Sequence, residues 1–460
     1  MVDNNLTRRT FIKAGAAATA LTAGAGGASA WPVTLRQAEK RPVKPRAVSP
    51  NDKLNVAAIG AGGKGKSDIK ACENENVVAL CDPDWERAAE SFEYFPNARK
   101  FKDYREMLEK MPEIDAVTIS TPDHTHAPAA YMAMMLGKHV YVQKPLTHTI
   151  AEARLLRDVA RRQGVATQMG NQGHAEDGVR NLYEMIWSNA IGQVKEVHIW
   201  TSRPVWPQGI PDRLPSQPIP NGMDWNAWIG SAPMRPYNEG YAPFKWRGWL
   251  DFGAGALGDM ACHIMDPAYW TLRLGDAPYY SVEVVKCEGE NKQTFPNSTI
   301  VKYSFPAREN LGPVDVYWYD GEFSPAPRPE GVAEDVKLGD GENGSYFVGE
   351  KGILSTGEYG GDSRIVSGDH AADYVGPDRW MRRIEGDIHT DWLQACKGGL
   401  PACSNFNYSG PFAEMVQFGN LAVVAGKKLE WDNIQGKILT PGVSQNVVSK
   451  EYRRGWELPV

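Results

Sequence analysis

Asp259 and His263 stand four residues apart in Gly255-Ala256-Leu257-Gly258-Asp259-Met260-Ala261-Cys262-His263. On a helix that spacing puts both side chains on one face, with Cβ atoms ~6 Å apart. An imidazole titrates near neutral pH, so His263 can take a hydroxyl proton while hydride leaves the same carbon. Lys144 follows an apolar run, in Gln143-Lys144-Pro145. Its ammonium can hydrogen-bond to that oxygen and stabilise developing negative charge. Asp259 can orient the substrate or hold Lys144 charged by proximity. These three residue types can serve proton transfer at a hydroxyl; if a hydride leaves the same carbon, a hydride acceptor is also required.

A place for that acceptor is legible upstream. Leu54-Asn55-Val56-Ala57-Ala58-Ile59 reads as a buried strand and runs into Gly60-Ala61-Gly62-Gly63-Lys64-Gly65, a G-x-G-x-x-G match. Gly60 permits the tight turn, Gly62 lets backbone approach a pyrophosphate, and Gly65 lets the next helix pack close. Gly63 lies within the same loop, and amides at the helix start would hold phosphates. A second strand over 77–81 ends at Asp82, about twenty residues on. A carboxylate there accepts the ribose hydroxyls and repels a 2′-phosphate, which favours NAD over NADP.

The elements that position these residues alternate. Strands are predicted over 114–120, 139–142 and 165–169, with helices over 127–136 and 150–163 between them. This spacing implies an α/β fold with a doubly wound, mostly parallel sheet. Ligands in such sheets sit at the carboxyl ends of the strands, where Gly60, Asp82, Thr121 and Lys144 all fall. Later strand-rich stretches are 194–202, 280–287 and 299–305, and amphipathic helices are read over 386–396 and 410–425.

Other residues admit two readings. His124 and His126, an H-x-H beside Asp123, have the types and spacing of metal ligands. Asn171, Gln172 and His174 follow a predicted strand and are candidates to face the substrate. The segment 203–251 holds Trp206, Trp225, Trp228, Trp246 and Trp249. It is too long and aromatic for a simple connection and suits a wall of a substrate pocket or a subunit contact. Trp246, Arg247 and Trp249 are its candidate sugar contacts, against a packing role.

The glycine loop, Ser120-Thr121-Pro122 with His126, Gln143-Lys144-Pro145 and Asp259-x-x-x-His263 together resemble the Gfo/Idh/MocA oxidoreductases, over roughly residues 54–435. The resemblance implies a Rossmann domain and a second α/β domain built on a large open, mostly antiparallel sheet. The expected boundaries are 54–175 and 176–440, with a tail over 441–460. It implies Lys144, Asp259 and His263 as catalytic residues. It places Thr121, Pro122, His124, His126, Gln143 and Lys144 with the glycine loop and Asp82 around the cofactor. No metal is expected. The family motif is usually Glu-Lys-Pro; Gln143 keeps hydrogen-bonding capacity but loses the charge, so Lys144 should be less favoured in its charged form. Open sheets in this family commonly pair, so a homodimer or homotetramer is expected.

Thr7-Arg8-Arg9-Thr10-Phe11-Ile12-Lys13, a weakly apolar stretch to Gly27 and Ala28-Ser29-Ala30 resemble a twin-arginine export signal over 1–30. That pathway exports folded proteins, so a cofactor can be loaded first; a periplasmic or otherwise exported location follows. No lipid anchor or membrane span is expected. Residues 31–53 are rich in Pro and read as an arm or linker, able to embrace a neighbouring subunit.

With 50 basic and 56 acidic residues the net charge is −6, which makes nucleic acid a poor partner. Six Cys without a C-x-x-C pair suggest neither a disulfide scaffold nor a thiolate zinc site. An exported nicotinamide enzyme lacks a free NAD pool. The expectation is therefore a carbohydrate oxidoreductase that retains NAD in a redox-neutral cycle, with glycoside cleavage as one form of it. The alternatives are an ordinary NAD(P)-dependent sugar or polyol dehydrogenase, a binding module without chemistry, and a metal-assisted isomerase using His124 and His126.

Overall fold

Asn55–Ile59 (β1) is buried along almost its whole length, as a strand covered on both faces requires. It lies at the centre of a six-stranded sheet with Asn76–Cys81 (β2), Arg99–Phe101 (β3), Ala116–Ile119 (β4), His139–Val142 (β5) and Thr167–Met169 (β6). The order is β3-β2-β1-β4-β5-β6, every pair parallel. This is the doubly wound dinucleotide-binding arrangement, with its switch point between β1 and β4. The computed structural model describes residues 43–368 and 371–460. The export-signal reading and residues 31–42 of the Pro-rich arm lie outside the described residues.

Helix α1 (Lys64–Lys70) leaves the glycine loop, α2 (Asp123–Met135) follows β4, and α3 (Ile150–Gln163) follows β5. Thr149 and Glu152 form a reciprocal capping box at the start of α3, satisfying two otherwise orphaned amides. Residues 43–53 lie against this same domain: Arg46 Nε donates to Asp115 Oδ1 at 2.7 Å, and Lys44 Nζ reaches the Arg162 carbonyl at 3.0 Å.

The second sheet has nine strands: Val194–Thr201 (β7), Tyr279–Glu288 (β8), Ser298–Phe305 (β9), Val314–Tyr319 (β10), Asn343–Gly349 (β11), Gly352–Thr356 (β12), Arg364–Gly368 (β13), Leu429–Asp432 (β14) and Lys437–Ile438 (β15). Their order is β13-β12-β11-β7-β10-β9-β8-β14-β15. Only β7 and β10 run parallel; the other pairs are antiparallel. The expected α/β fold, parallel first sheet and mostly antiparallel second sheet are all present.

Three helices join the two sheets. Gly255–Ile264 (α4) carries Asp259 and His263, Ile388–Cys396 (α5) returns to the first domain, and Phe406–Ala425 (α6) packs along α3. Within α6, Gln417 Nε2 donates to the Thr147 carbonyl at 2.7 Å and Asn420 Nδ2 to the Ala254 carbonyl at 2.9 Å. One helix therefore fixes both the chain after Lys144 and the start of α4. The residues between β7 and α4 form a satellite core around Trp225, Trp228, Tyr241, Trp249 and Phe252. It docks on the end of β2 through Asp224 N to the Pro83 carbonyl, 2.8 Å. No helix among the described residues is long and apolar enough to cross a membrane.

Candidate active site

A cleft of about 440 Å³ runs along the carboxyl ends of the first sheet. Gly60, Gly62, Asp82, Thr121, Pro122, Gln143 and Lys144 line it, and His263, Gln172, Trp246 and Arg247 close its far end. Gly60 has φ +80°, and a Cβ there would meet the Ser120 carbonyl oxygen at 2.6 Å. A Cβ on Gly65 would collide with the Gly60 carbonyl, so only glycine lets α1 start this close to β1. Gly63 faces the Arg87 side chain across the same loop. Asp82 Oδ2 accepts the Ala61 and Gly62 amides at 2.9 and 3.0 Å. Burial pushes its carboxyl up to about 6 against these bonds. Arg87 and Lys102, which sequence reasoning did not single out, bring positive charge to this end of the cleft.

Lys144 leaves β5 and points its ammonium at α4. Nζ donates to Asp259 Oδ1 and to the Asp259 main-chain carbonyl, both at 2.8 Å. Burial opposes ionisation of Asp259, but Lys144 and Arg247 outweigh it and hold the carboxyl at about 2. Arg247 Nε lies 3.4 Å from Oδ1, and Arg203 Nε 4.0 Å from Oδ2. His263 is buried, and burial first, then Lys144, drives its ring well below the ordinary imidazole value. The ring is therefore neutral at neutral pH and able to accept a proton. Its Nδ1 has no partner among the described residues. Tyr359 meets the ring edge-on at 5.2 Å and takes a bond from Gln172 Nε2 at 2.9 Å.

Position 143 carries an amide, yet a carboxylate stands beside it. Gln143 Nε2 donates to Asp68 Oδ2 at 2.9 Å. Asp68 is fully buried in α1 and also accepts from Ser120 Oγ at 2.7 Å, His389 Nε2 at 3.1 Å and Lys64 Nζ at 3.0 Å. Burial raises its carboxyl, and His389 and Lys64 together bring it below the ordinary value. The charge expected to be missing at Gln143 is supplied from the neighbouring helix. Asp68 lies four residues after Lys64, an i,i+4 pair visible in sequence; nothing there announced that it turns inward.

Several expected contacts lie elsewhere. His124 Nδ1 and Nε2 are each 3.2 Å from the carbonyls of Phe252 and Trp228. His126 places its nitrogens 2.8 Å from the carbonyls of Pro145 and Thr121. Both rings are buried and face main-chain oxygens, away from the cleft, and burial lowers them to about 3 and about 4. A neutral ring carries one N–H, so each donates to one carbonyl and packs on the other. Among the described residues no group of three or more His, Cys, Asp or Glu is placed to hold a metal ion. His174 is buried against Asp266 Oδ2 at 2.9 Å, and Asn171 is buried with its amide unpartnered among the described residues. Trp249 lies in the satellite core, its Nε1 on the Gly240 carbonyl at 2.9 Å. Of the three late aromatic-segment candidates, Trp246 and Arg247 reach the cleft.

Comparison with known proteins agrees with this construction. An oxidoreductase family model, NAD-binding Rossmann fold, matches residues 54–171, and the model of the same family's C-terminal alpha/beta domain matches residues 193–305. The chain belongs to the Gfo/Idh/MocA oxidoreductase family. Its sequence is 28% identical over 229 residues to levoglucosan dehydrogenase of Pseudarthrobacter phenanthrenivorans, covering 47% of this chain and 50% of that protein. It is 31% identical over 212 residues to a glycosyl hydrolase family 109 protein of Shewanella pealeana, covering 41% and 44%. This Gfo/Idh/MocA chain thus spans about half the length of the relatives it matches. In fold it is similar to the WlbA dehydrogenase from Bordetella pertussis, solved with NADH and UDP-GlcNAcA, at TM-score 0.58 and 16% identity, covering 83% of this chain and 98% of that one.

Proposed function

We propose that the chain is an exported NAD-dependent oxidoreductase acting on a hydroxyl of a sugar or glycoside, with NAD retained through a redox-neutral cycle. The observation that carries this reading is the convergence of Lys144, Asp259 and neutral His263 beside a cleft that the glycine loop also lines. The residues present fit a dinucleotide: at Gly60, Gly62 and Gly65 a Cβ would collide with Ser120, Arg87 and Gly60, so only glycines let this loop turn tightly into α1 beside the cleft, and Lys64, Arg87 and Lys102 offset phosphate charge. NAD, when bound, supplies the hydride acceptor and donor.

The protein's own residues do the rest. Lys144 Nζ, pinned by Asp259, presents an N–H to the substrate oxygen as negative charge develops there. His263 takes the hydroxyl proton and later returns it. Pro243, Phe244 and Trp246 give the cleft an apolar wall. In the glycoside form of the cycle, the transient ketone acidifies the adjacent C–H, the aglycone leaves by elimination, water adds, and reduction restores the hydroxyl. The net change is hydrolysis, which needs no external oxidant. Support for carbohydrate substrates comes from the names of the similar dehydrogenase and family 109 proteins. Support for export comes from the Thr7–Lys13 segment and the small residues after it.

Protein purified without added cofactor, then denatured, should release close to one NAD per chain by mass spectrometry, with NADP absent. Little or no release would replace the retained-cofactor cycle with ordinary NAD-coupled dehydrogenation. With C-deuterated sugars, label should exchange into the bound nicotinamide. Lys144→Ala and His263→Ala should each slow that exchange by ~10²–10⁴-fold. Full rates in both variants would remove the role assignment.

A further inference from the structure

We propose that the sugar taken by this site carries a carboxylate, as in a uronic acid or its glycoside, and that Arg203 and Arg247 read it. This rests on the carbohydrate reading above and narrows it. Three cations face one carboxylate: Lys144 Nζ at 2.8 Å, Arg247 Nε at 3.4 Å and Arg203 Nε at 4.0 Å all converge on Asp259. Asp259 is the sole ion-pair partner of either guanidinium among the described residues, so two positive charges remain over. The other carboxylate near these groups, Asp123, is buried at the start of α2, and burial pushes it up to about 7. It is a weak counter-charge.

The donors are also unfilled. Arg247 spends Nε on Asp259 and Nη1 on the Phe244 carbonyl at 3.2 Å, which leaves Nη2 without a partner among the described residues. The Arg203 guanidinium has no hydrogen-bond partner among them beyond its approach to Asp259. Both arginine side chains keep about a quarter of their surface open, 24% for Arg247 and 28% for Arg203. Arg247 lies over the rings of Trp246 and Phe244, at 4.2 and 4.6 Å. A guanidinium held on aromatic faces is weakly hydrated and presents its remaining edge in a fixed plane, the geometry that a carboxylate matches. Arg203 and Arg247 face Asp259 on α4, whereas Arg87 packs on Gly62 and Gly63 of the glycine loop, so the charge over a dinucleotide's phosphates and the charge at Asp259 come from different arginines. A neutral sugar would leave two buried-side guanidiniums facing only water; a uronate carboxylate satisfies them while the aromatic rings cover its ring face.

The test is binding to holoenzyme by calorimetry, using methyl glucuronide, methyl galacturonide and methyl mannuronide, each against its neutral methyl glycoside. At least one uronide should bind tenfold or more tightly than its neutral counterpart, the scale of one charge-assisted bond. That preference, read as the ratio of uronide to neutral-glycoside affinity within each variant, should fall tenfold or more in Arg203→Gln and in Arg247→Gln. Arg247→Lys should recover only part of it, because the charge returns without the fork. Equal binding of every acidic and neutral pair, no binding of any uronide, or a preference that survives both Gln variants would each overturn the proposal. Label exchange from a neutral glycoside alongside any of these would leave the carbohydrate reading standing.

Discussion

His263 is the residue whose setting has the sharpest consequence. An ordinary imidazole gains its proton near pH 6.5, but burial and the nearby Lys144 ammonium move this one well below that value. A base acts in its unprotonated form, so the acid limb of a kcat/KM profile is expected below pH 6.5 and not at it. The same shift acts on stability. The unfolded chain binds the proton first, so the contribution of the neutral ring is intact above 6.5 and is lost as pH falls below it. His263→Gln should remove the acid limb along with most of the turnover. A limb at or above 6.5 in the parent enzyme would assign proton transfer to another group. His263, Asp259 and Lys144 were legible in sequence because each sits in a short segment whose neighbours declare it. Arg203 and Tyr359 were not: one follows β7 and the other follows β12, and only the closing of the second sheet against α4 brings them to Asp259 and His263.

At the scale of elements, five of the six strands of the cofactor half are legible as pattern, while the three-residue β3 and the short helices over 89–94 and 104–110 are too brief to show a period. Buried parallel strands are short apolar runs with abrupt ends, and β1, β2, β4 and β5 end at Gly60, Asp82, Ser120 and Gln143. Boundaries moved in both kinds of element: β4 and β6 are shorter than the predicted 114–120 and 165–169. Helix α2 begins at Asp123, before the predicted 127, because Pro122 is a permitted entry and His124 and His126 turn inward on main-chain carbonyls. What pattern could not convey is the tie among α1, β4, β5 and α5 through Asp68. That tie makes a prediction against intuition. Gln143→Glu would restore the residue type usual in related motifs, yet here it sets a second buried carboxylate within 2.9 Å of the first. Two such groups cannot both ionise cheaply. The variant should lose ~1–3 kcal/mol of stability, with a lower melting temperature at pH 8 than the parent. Asp68→Asn alone should also destabilise, by unpairing His389 and Lys64. The double variant, with the charge moved from one side of the bond to the other, should recover much of the Gln143→Glu loss. Strict additivity of the two changes in a double-mutant cycle would show that the pair is not coupled.

The whole molecule depends on a segment that sequence reading left as a tail. Residues 441–460 have no hydrophobic periodicity of their own, and the partners that anchor Lys450, Tyr452, Arg453 and Trp456 are distant in sequence, so no local signal marks them. Lys450 Nζ pairs with Glu152 Oε1 at 3.0 Å and reaches the His124 carbonyl at 3.2 Å, and Tyr452 OH donates to Glu152 at 2.9 Å. Glu152 is fully buried, and its other oxygen caps α3. Trp456 is buried over the Arg105 guanidinium, 3.7 Å from it, and against Tyr104. Arg453 N donates to the Ser231 carbonyl at 3.1 Å, and its side chain reaches the Asn226 carbonyl at 3.0 Å. The segment therefore clamps the aromatic satellite core, which contributes Trp228 to the cleft wall, onto the domain that carries the glycine loop. Removing 449–460 strands a buried carboxylate and opens that clamp. Loss of one partner of a buried pair costs ~3–5 kcal/mol, so the melting temperature should fall by several degrees. The fraction of chains that retain NAD through purification should fall with it. Lys450→Met separates the two effects: it unpairs Glu152 but keeps Trp456 and Arg453 in place, so it should lower the melting temperature while NAD stays bound. If the truncated chain melts as the intact one does and keeps its NAD, the wall of the cleft is held by the satellite core alone, and the tail has no part in shaping it.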